Sequence, residues 1–225
     1  MTKIAVFDAY GTLFDVAAAA RVVAEEPGRD ALKAVWTTVA EHWRQKQLQY
    51  SWLRTITGDY TPFWNVTQDG LDWALEKTGL ADDLELRERL LALYWELSPY
   101  KEVPLMLGQL KAAGKTCAIL SNGSKDMLDG AVDSAGIEMF LDAVLSVEDV
   151  GIFKPSATVY DMVGTRFDCA KEDVLFVSSN GWDAAGASGY GFDTVWVNRA
   201  SDPVDRLPHT PNHVLSDLKT IPELM

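Results

Sequence analysis

The chain opens on a short, unbroken apolar run. Ile4-Ala5-Val6-Phe7 follows Lys3, ends at Asp8 and is closed by a turn at Gly11. A run of that length bounded by a turn predicts a buried strand. From about Val16 to Leu97 the pattern turns helical, with Ala-, Leu-, Glu- and Gln-rich stretches and almost no strand-like runs. After about Val103 short apolar runs alternate with helical text. Strands are predicted at 116–121, 142–146, 174–178 and 194–197, and helices from near Ser124, at 158–167 and at 183–188. This alternation predicts a parallel α/β sheet whose first strand comes from the N-terminus, ahead of a helical insertion.

Composition narrows the picture. The chain has 225 residues, which fits one large domain or one domain with an insertion. Apolar residues make up 48% and charged residues 24%, the range of a soluble globular protein, which excludes a disordered chain, a collagen-like chain and a coiled coil. No apolar run approaches the roughly 20 residues that span a bilayer, so no membrane partner is expected. No secretory signal is visible at the N-terminus, and a cytoplasmic location is the expectation. Six of the eight tryptophans (36, 43, 52, 64, 73 and 95) fall in the helical span, predicting an insertion with its own aromatic core. Cys117 and Cys169 form no CxxC pair and are expected to be reduced, buried residues. A net charge of −13 repels phosphate backbones and argues against a nucleic-acid partner, although a small anion could still bind in a locally basic pocket.

In open parallel sheets, ligands bind at the C-terminal ends of the strands. Four polar clusters fall at or near such ends: residues 8–12, 121–124, Lys154, and 178–183. Asp8 is either a turn carboxylate or a covalent nucleophile. Thr12 is either a helix cap or a donor to that carboxylate. Ser121 and Asn122 precede a helix N-terminus, which suits an anion, or form a simple turn with Ser124 as its cap. Lys154, between Phe153 and Pro155, is either a surface loop lysine or a partner that keeps Asp8 ionised and oriented. Asp183 could hold Lys154 or orient a water; Asn180 and Asp183 could equally cap a helix. Gly181 and the small residues 184–189 could widen or soften the last loop.

Together these clusters resemble the haloacid dehalogenase (HAD) superfamily: D-x-x-G-T after the first strand, S-N after the second, a lone K-P, then an acidic turn after a later strand. The resemblance spans essentially the whole chain. It implies a HAD-like Rossmannoid core of residues 1–15 and 99–225 and a small helical cap domain of residues 16–98. The phosphatase branch resembles D-x-D-G-T, but the second acidic position here is Tyr10, and Ser178-Ser179-Asn180-Gly181-Trp182-Asp183 leaves only Asp183 in the last motif. Magnesium usually takes one or two carboxylates beside phosphate, so a magnesium site is poor, and neither metal nor other cofactor is expected. The strings FDAYGTLFD, SNGS, FKP, SSNGWD and the cap string WRQKQLQYSWLR (residues 43–54) are similar to the L-2-haloacid dehalogenase (haloacid dehalogenase type II) branch.

That resemblance implies a mechanism. Asp8 displaces halide from Cα of chloroacetate or of a short (S)-2-haloacid such as L-2-chloropropionate, with fluoroacetate turnover a separate expectation. Water then attacks the aspartyl ester at the Asp8 carbonyl carbon, giving an (R)-2-hydroxyacid. Arg44 would face the departing halide; Asn180, Phe63 and Trp182 would complete the halide and substrate pocket. Ser121 and Asn122 would bind the substrate carboxylate, and Tyr10, Gln45 and Leu48 would line the pocket. Leu48 lies one helical turn from Arg44, on the same face. Thr12, Lys154, Tyr160, Ser178 and Asp183 would support Asp8 and the hydrolytic water. The branch implies a homodimer. The alternatives are a magnesium-dependent phosphatase, a non-catalytic relative of the fold, and a hydrolase of another 2-substituted carboxylate.

Overall fold

A computed structural model describes residues 4–95 and 97–225. Lys3, the first residue of the predicted strand, lies outside them, as do Met1, Thr2 and Glu96. Six parallel strands form one sheet: β1 (Ile4–Phe7), β2 (Thr116–Ser121), β3 (Ala143–Ser146), β4 (Val174–Ser178), β5 (Asp193–Val197) and β6 (His213–Leu215). Their order is β3-β2-β1-β4-β5-β6. The centre of the sheet is covered on both faces, as parallel sheets require, and β1 and β4 are buried at every residue.

Register sets up the site. Phe7 pairs with Ile119 on one side and Val177 on the other, and Ser121 pairs with Ser146. The residues after β1, β2 and β4 therefore emerge at one edge. Asp8 and Ser178 flank the point where the strand order reverses, the place where such sheets hold ligands.

Between β1 and β2 the chain is helical: α1 (Ala18–Ala24), α2 (Asp30–Lys33), α3 (Trp36–Thr57), α4 (Phe63–Thr78), α5 (Leu84–Tyr94) and α6 (Val103–Ala112). The sheet continues through α7 (Lys125–Ala135), α8 (Ala157–Phe167) and α9 (Gly181–Tyr190). Helix α3 buries Val39, Trp43, Gln47 and Ser51 at every fourth position, one stripe of a helix. It packs on α4, which approaches closely at Gly70, where an added Cβ would lie 3.3 Å from the Trp43 ring. Asp83 caps α5 by accepting from the Leu86 N–H at 2.8 Å.

The expected aromatic core of the insertion is narrower than its tryptophan count suggested. Only Trp43 is fully buried there. Trp64 and Trp95 pack together half-buried, with ring centroids 4.7 Å apart. Trp73 sits at the surface side, with His42 edge-on at 5.4 Å and the Lys46 ammonium 4.2 Å above it. An indole's large amphipathic ring serves as well half-covered as buried, so counting tryptophans overestimates a core. Cys117 is buried and Cys169 half-buried, both as free thiols. Burial pushes the Cys117 thiol up to about 12, so this side chain is expected to resist thiol reagents near pH 8 in the folded protein and to react after unfolding. Among the described residues no helix is long and apolar enough to cross a membrane.

Candidate active site

Asp8 stands one residue past β1, where its N–H donates to Val177 O at 2.9 Å. Its two carboxylate oxygens are held differently. Oδ2 accepts from Asn180 Nδ2 (2.9 Å) and Thr12 Oγ1 (3.0 Å), with Ser178 Oγ at 3.5 Å. Among the described residues Oδ1 accepts from Lys154 Nζ alone, at 3.3 Å. One carboxylate oxygen is fixed in place and the other retains a free lone pair.

The turn that aims Asp8 follows from its sequence. Ala9 O accepts from the N–H groups of Thr12, Leu13 and Phe14. Gly11 takes φ +88°, a left-handed conformation that favours glycine, and a Cβ there would lie 3.1 Å from Ser179 Oγ. Thr12 is a donor rather than a helix cap. Its hydroxyl accepts from the Ser179 N–H at 2.7 Å and donates to Asp8 Oδ2 at 3.0 Å.

Lys154 lies between two carboxylates. Its ammonium donates to Asp183 Oδ2 at 2.9 Å as well as to Asp8, and rests 4.9 Å from the Phe176 ring centroid. Lys154 and Asp183 are both almost wholly enclosed, so the surface-lysine reading fails. Asp183 also accepts from the Tyr160 hydroxyl at 2.7 Å. Burial pushes the Asp183 carboxyl above the usual carboxylate range, Lys154 offsets part of that, and Asp8 adds to it. Burial also drives the Tyr160 phenol well above its ordinary value, so it stays protonated and donates.

Asn180 is the residue before α9, yet its side chain makes no cap bond. Its amide donates to Asp8 while Oδ1 accepts from Arg44 Nη2 at 3.0 Å; the same Nη2 lies 3.5 Å from Tyr10 O. Arg44 thus reaches the strand ends from α3. Ser124 is likewise no cap: its hydroxyl accepts from the Trp64 N–H at 3.1 Å and ties α4 to the sheet. Trp52 meets Trp182 edge-on at 5.4 Å, and Phe153 N–H donates to Thr55 Oγ1 at 3.3 Å.

The remaining expected residues divide into two groups. Tyr10 stacks on Phe63 (6.2 Å) and on Tyr94 (5.5 Å), forming an aromatic floor beside Asp8. Among the described residues its hydroxyl is buried without a hydrogen-bond partner, and so is Trp182 Nε1. Leu48 and Arg44 line one cavity of about 450 Å³, together with Val16, Ala17, Ala40, Gln47 and Tyr94. Gln45 lines it too but is exposed. Ser121 and Asn122 serve the scaffold: Ser121 Oγ accepts from the Gly123 N–H (3.0 Å) and Asn122 Oδ1 from the Lys154 N–H (2.9 Å). Among the described residues, the Ser121 hydroxyl proton and the Asn122 amide N–H groups meet no protein acceptor.

Sequence reasoning missed Ser179, Gln47 and Tyr94. Gln47 donates to Thr67 Oγ1 (3.0 Å) and to the Tyr94 hydroxyl (3.1 Å), a buried polar ladder behind Arg44. Beyond its place in the cap string, the four-residue spacing of Trp43, Gln47 and Ser51 was its signal. The small residues after Gly181 do not soften a loop: they form α9. A Cβ on Gly186 would lie 2.8 Å from Pro155 Cβ and 2.9 Å from the Tyr160 hydroxyl, so smallness there admits the chain beside Lys154. At Gly123 a Cβ would lie 2.6 Å from Tyr10 Cε2 and 3.1 Å from Leu128 Cδ2. Gly123→Ala is therefore expected to cost about 1–3 kcal/mol, read by thermal melting, and to lower activity by displacing the Tyr10 ring.

Among the described residues, no three His, Cys, Asp or Glu side chains converge as a metal cluster. Asp8 and Asp183 are already bridged by the Lys154 ammonium.

The haloacid dehalogenase-like hydrolase family matches residues 2–191. The chain is 44% identical over 220 residues to (S)-2-haloacid dehalogenase 1 of Pseudomonas sp. (strain CBS-3), covering 98% of this chain and 95% of that one. It is 41% identical to the (S)-2-haloacid dehalogenase of Pseudomonas fluorescens, covering 95% and 92%. Its fold superposes at a TM-score of 0.87, with 36% identity and coverage of 100% and 98%, on the L-2-haloacid dehalogenase of Xanthobacter autotrophicus solved with chloropropionic acid covalently bound. The chain therefore belongs to the haloacid dehalogenase-like hydrolase family, among the (S)-2-haloacid dehalogenases.

Proposed function

We propose that this chain hydrolyses short (S)-2-haloacids to (R)-2-hydroxyacids and halide through an ester on Asp8. The observation that carries the reading is the asymmetric carboxylate: Oδ2 is pinned by Asn180, Thr12 and Ser178, while Oδ1 is free to attack. In the first step Asp8 Oδ1 forms a bond to Cα from the side opposite the halogen, and the carbon–halogen electron pair leaves as halide. In the second step water attacks Asp8 Cγ, its oxygen stays on Asp8, and the hydroxyacid departs with the original Oδ1. One inversion at Cα results, and overall one water is consumed and a proton and a halide are released.

Each surrounding group has a place in that sequence. Arg44 and the unpartnered Trp182 Nε1 supply donors for the halide as its charge grows, with Asn180 and Phe63 beside them. Ser121, Asn122 and the unpartnered Tyr10 hydroxyl offer donors to the substrate carboxylate; buried donors without acceptors are uncommon unless a ligand completes them. Leu48 lines the approach, and Gln45 stands at its rim. Lys154 orients Asp8, while Asp183, steadied by Tyr160, orients the hydrolytic water. Residues 16–98 act as the cap that brings Arg44 to a core formed by residues 1–15 and 99–225. The magnesium phosphatase alternative is disfavoured by the buried Tyr10 ring at the second acidic position and by Lys154 between the two carboxylates.

Halide release from racemic 2-chloropropionate with EDTA present tests the reading. Release that stops at half the substrate and yields D-lactate is expected; magnesium-dependent cleavage of a phosphomonoester instead would overturn it. Arg44→Ala is expected to lower kcat by about 10²–10³, the loss typical of one charge-stabilising donor. Activity on chloroacetate without fluoride release from fluoroacetate would restrict the substrates to weaker carbon–halogen bonds. A cytoplasmic homodimer completes the proposal by family resemblance, tested by cell fractionation and light scattering.

A further inference from the structure

Arg199 follows β5 by two residues and belongs to none of the polar clusters described above. Its guanidinium makes three contacts at once. Nη1 donates to Glu102 Oε1 at 2.7 Å, Nη2 donates to Thr12 O at 3.2 Å, and Cζ lies 3.7 Å from the Tyr100 ring centroid. The ion pair is shielded, with side-chain exposures of 22% and 12%. The contacts converge on the two segments by which the chain leaves the sheet for the helices and returns. These segments lie side by side: Tyr100 N–H donates to Leu13 O (2.9 Å), Asp15 N–H donates to Ser98 O (3.1 Å), and Phe14 pairs with Pro99 in an antiparallel bridge.

We propose that Arg199 is a positioning residue for Asp8, because it grips the Thr12 carbonyl and the returning segment at Tyr100 and Glu102 while the Thr12 hydroxyl holds Asp8 Oδ2. This rests on Asp8 being the nucleophile. Thr12 is fixed at both ends, its carbonyl by Arg199 and its hydroxyl by the Ser179 N–H. A drift of the Thr12 peptide moves the donor that decides which Asp8 oxygen is free and where it points. Arg199 makes no hydrogen bond to Asp8 among the described residues and is not among the residues that line the 450 Å³ cavity, so it acts on orientation rather than on substrate affinity. Only a planar fork can hold two acceptors and stack on a ring together; a lysine ammonium is a point charge on a flexible stem.

The test compares Arg199→Lys and Arg199→Met with the intact chain on L-2-chloropropionate, with folding monitored by circular dichroism at the assay temperature. The expected result is a fall in kcat of about 10-fold or more, with KM within about twofold, and a matching slowing of halide release in a single turnover, since small misplacements of a reacting group are costly. Should the Met variant fail to fold, the Lys variant, which keeps the charge opposite Glu102, carries the comparison. A lowered melting temperature with unchanged kcat, or a raised KM with unchanged kcat, overturns the positioning role. Asp8→Asn is measured in parallel. Turnover lost there but unchanged in the Arg199 variants removes the role of Arg199 alone. Turnover retained in Asp8→Asn removes the underlying reading, and this proposal with it.

Discussion

Asp8→Asn is expected to reduce halide release by about four orders of magnitude, a barrier increase of about 5–6 kcal/mol. The substitution keeps the shape of the side chain and an oxygen that can accept from Thr12 and Asn180. It removes the negative charge that attacks carbon, and a carboxamide is a poor nucleophile. Circular dichroism should show the native fold, since one partner of Lys154, Asp183, remains at 2.9 Å. Activity within tenfold of the parent would take Asp8 out of the reaction.

Lys154→Met is expected to damage both stability and activity. The ammonium stands between Asp8 and Asp183, with side-chain exposures of 1%, 9% and 0% respectively. Removing it leaves two enclosed carboxylates facing each other. Breaking a buried pair in this way typically costs about 3–5 kcal/mol. For a chain of this size that corresponds to a melting temperature lower by about 10 °C. The pH dependence follows with a definite sign. Without the cation, repulsion and burial both favour the protonated acid, so one carboxylate keeps its proton to higher pH than in the parent. That carboxylate is Asp183, which burial already raises and Lys154 lowers; protonated, it no longer accepts from the hydrolytic water, so the acidic limb of the activity profile is expected to move to higher pH. An unchanged limb together with unchanged melting would show that Lys154 is a bystander.

Much of this arrangement was legible in the sequence because strand ends are local features. Asp8, Ser121 and Ser178 each close an apolar run, and the sheet brings those ends to one edge as the alternation of strands and helices required. β6 was not legible: three residues, His213–Leu215, only partly covered, carry too little periodicity. Asn180 and Ser124 illustrate a different limit. Both occupy positions where local chemistry favours a helix cap, yet each spends its side chain on a partner far along the chain, Asp8 and Arg44 for Asn180 and Trp64 for Ser124. Long-range pairing overrode the local rule, and it did so where the proposed chemistry lies.

Arg44 marks the same boundary. Its place on an amphipathic helix predicts only a solvated face, and the family resemblance alone pointed it at the site. The structure brings it to Asn180 Oδ1 across 136 positions of sequence. Gln47 lay inside the cap string and Arg199 two residues past a strand, but neither position, nor that of Tyr94, singled out its side chain. Their partners come from elements that meet only in the folded chain.

The central claim is that water attacks the enzyme ester and not the substrate carbon. A single turnover with enzyme in excess over L-2-chloropropionate, run in ¹⁸O-labelled water, tests it directly. Unlabelled lactate and one labelled oxygen in the peptide that contains Asp8, read by mass spectrometry, are expected. Labelled lactate with an unlabelled Asp8 peptide would mean that water displaces the halide directly, and it would contradict the account.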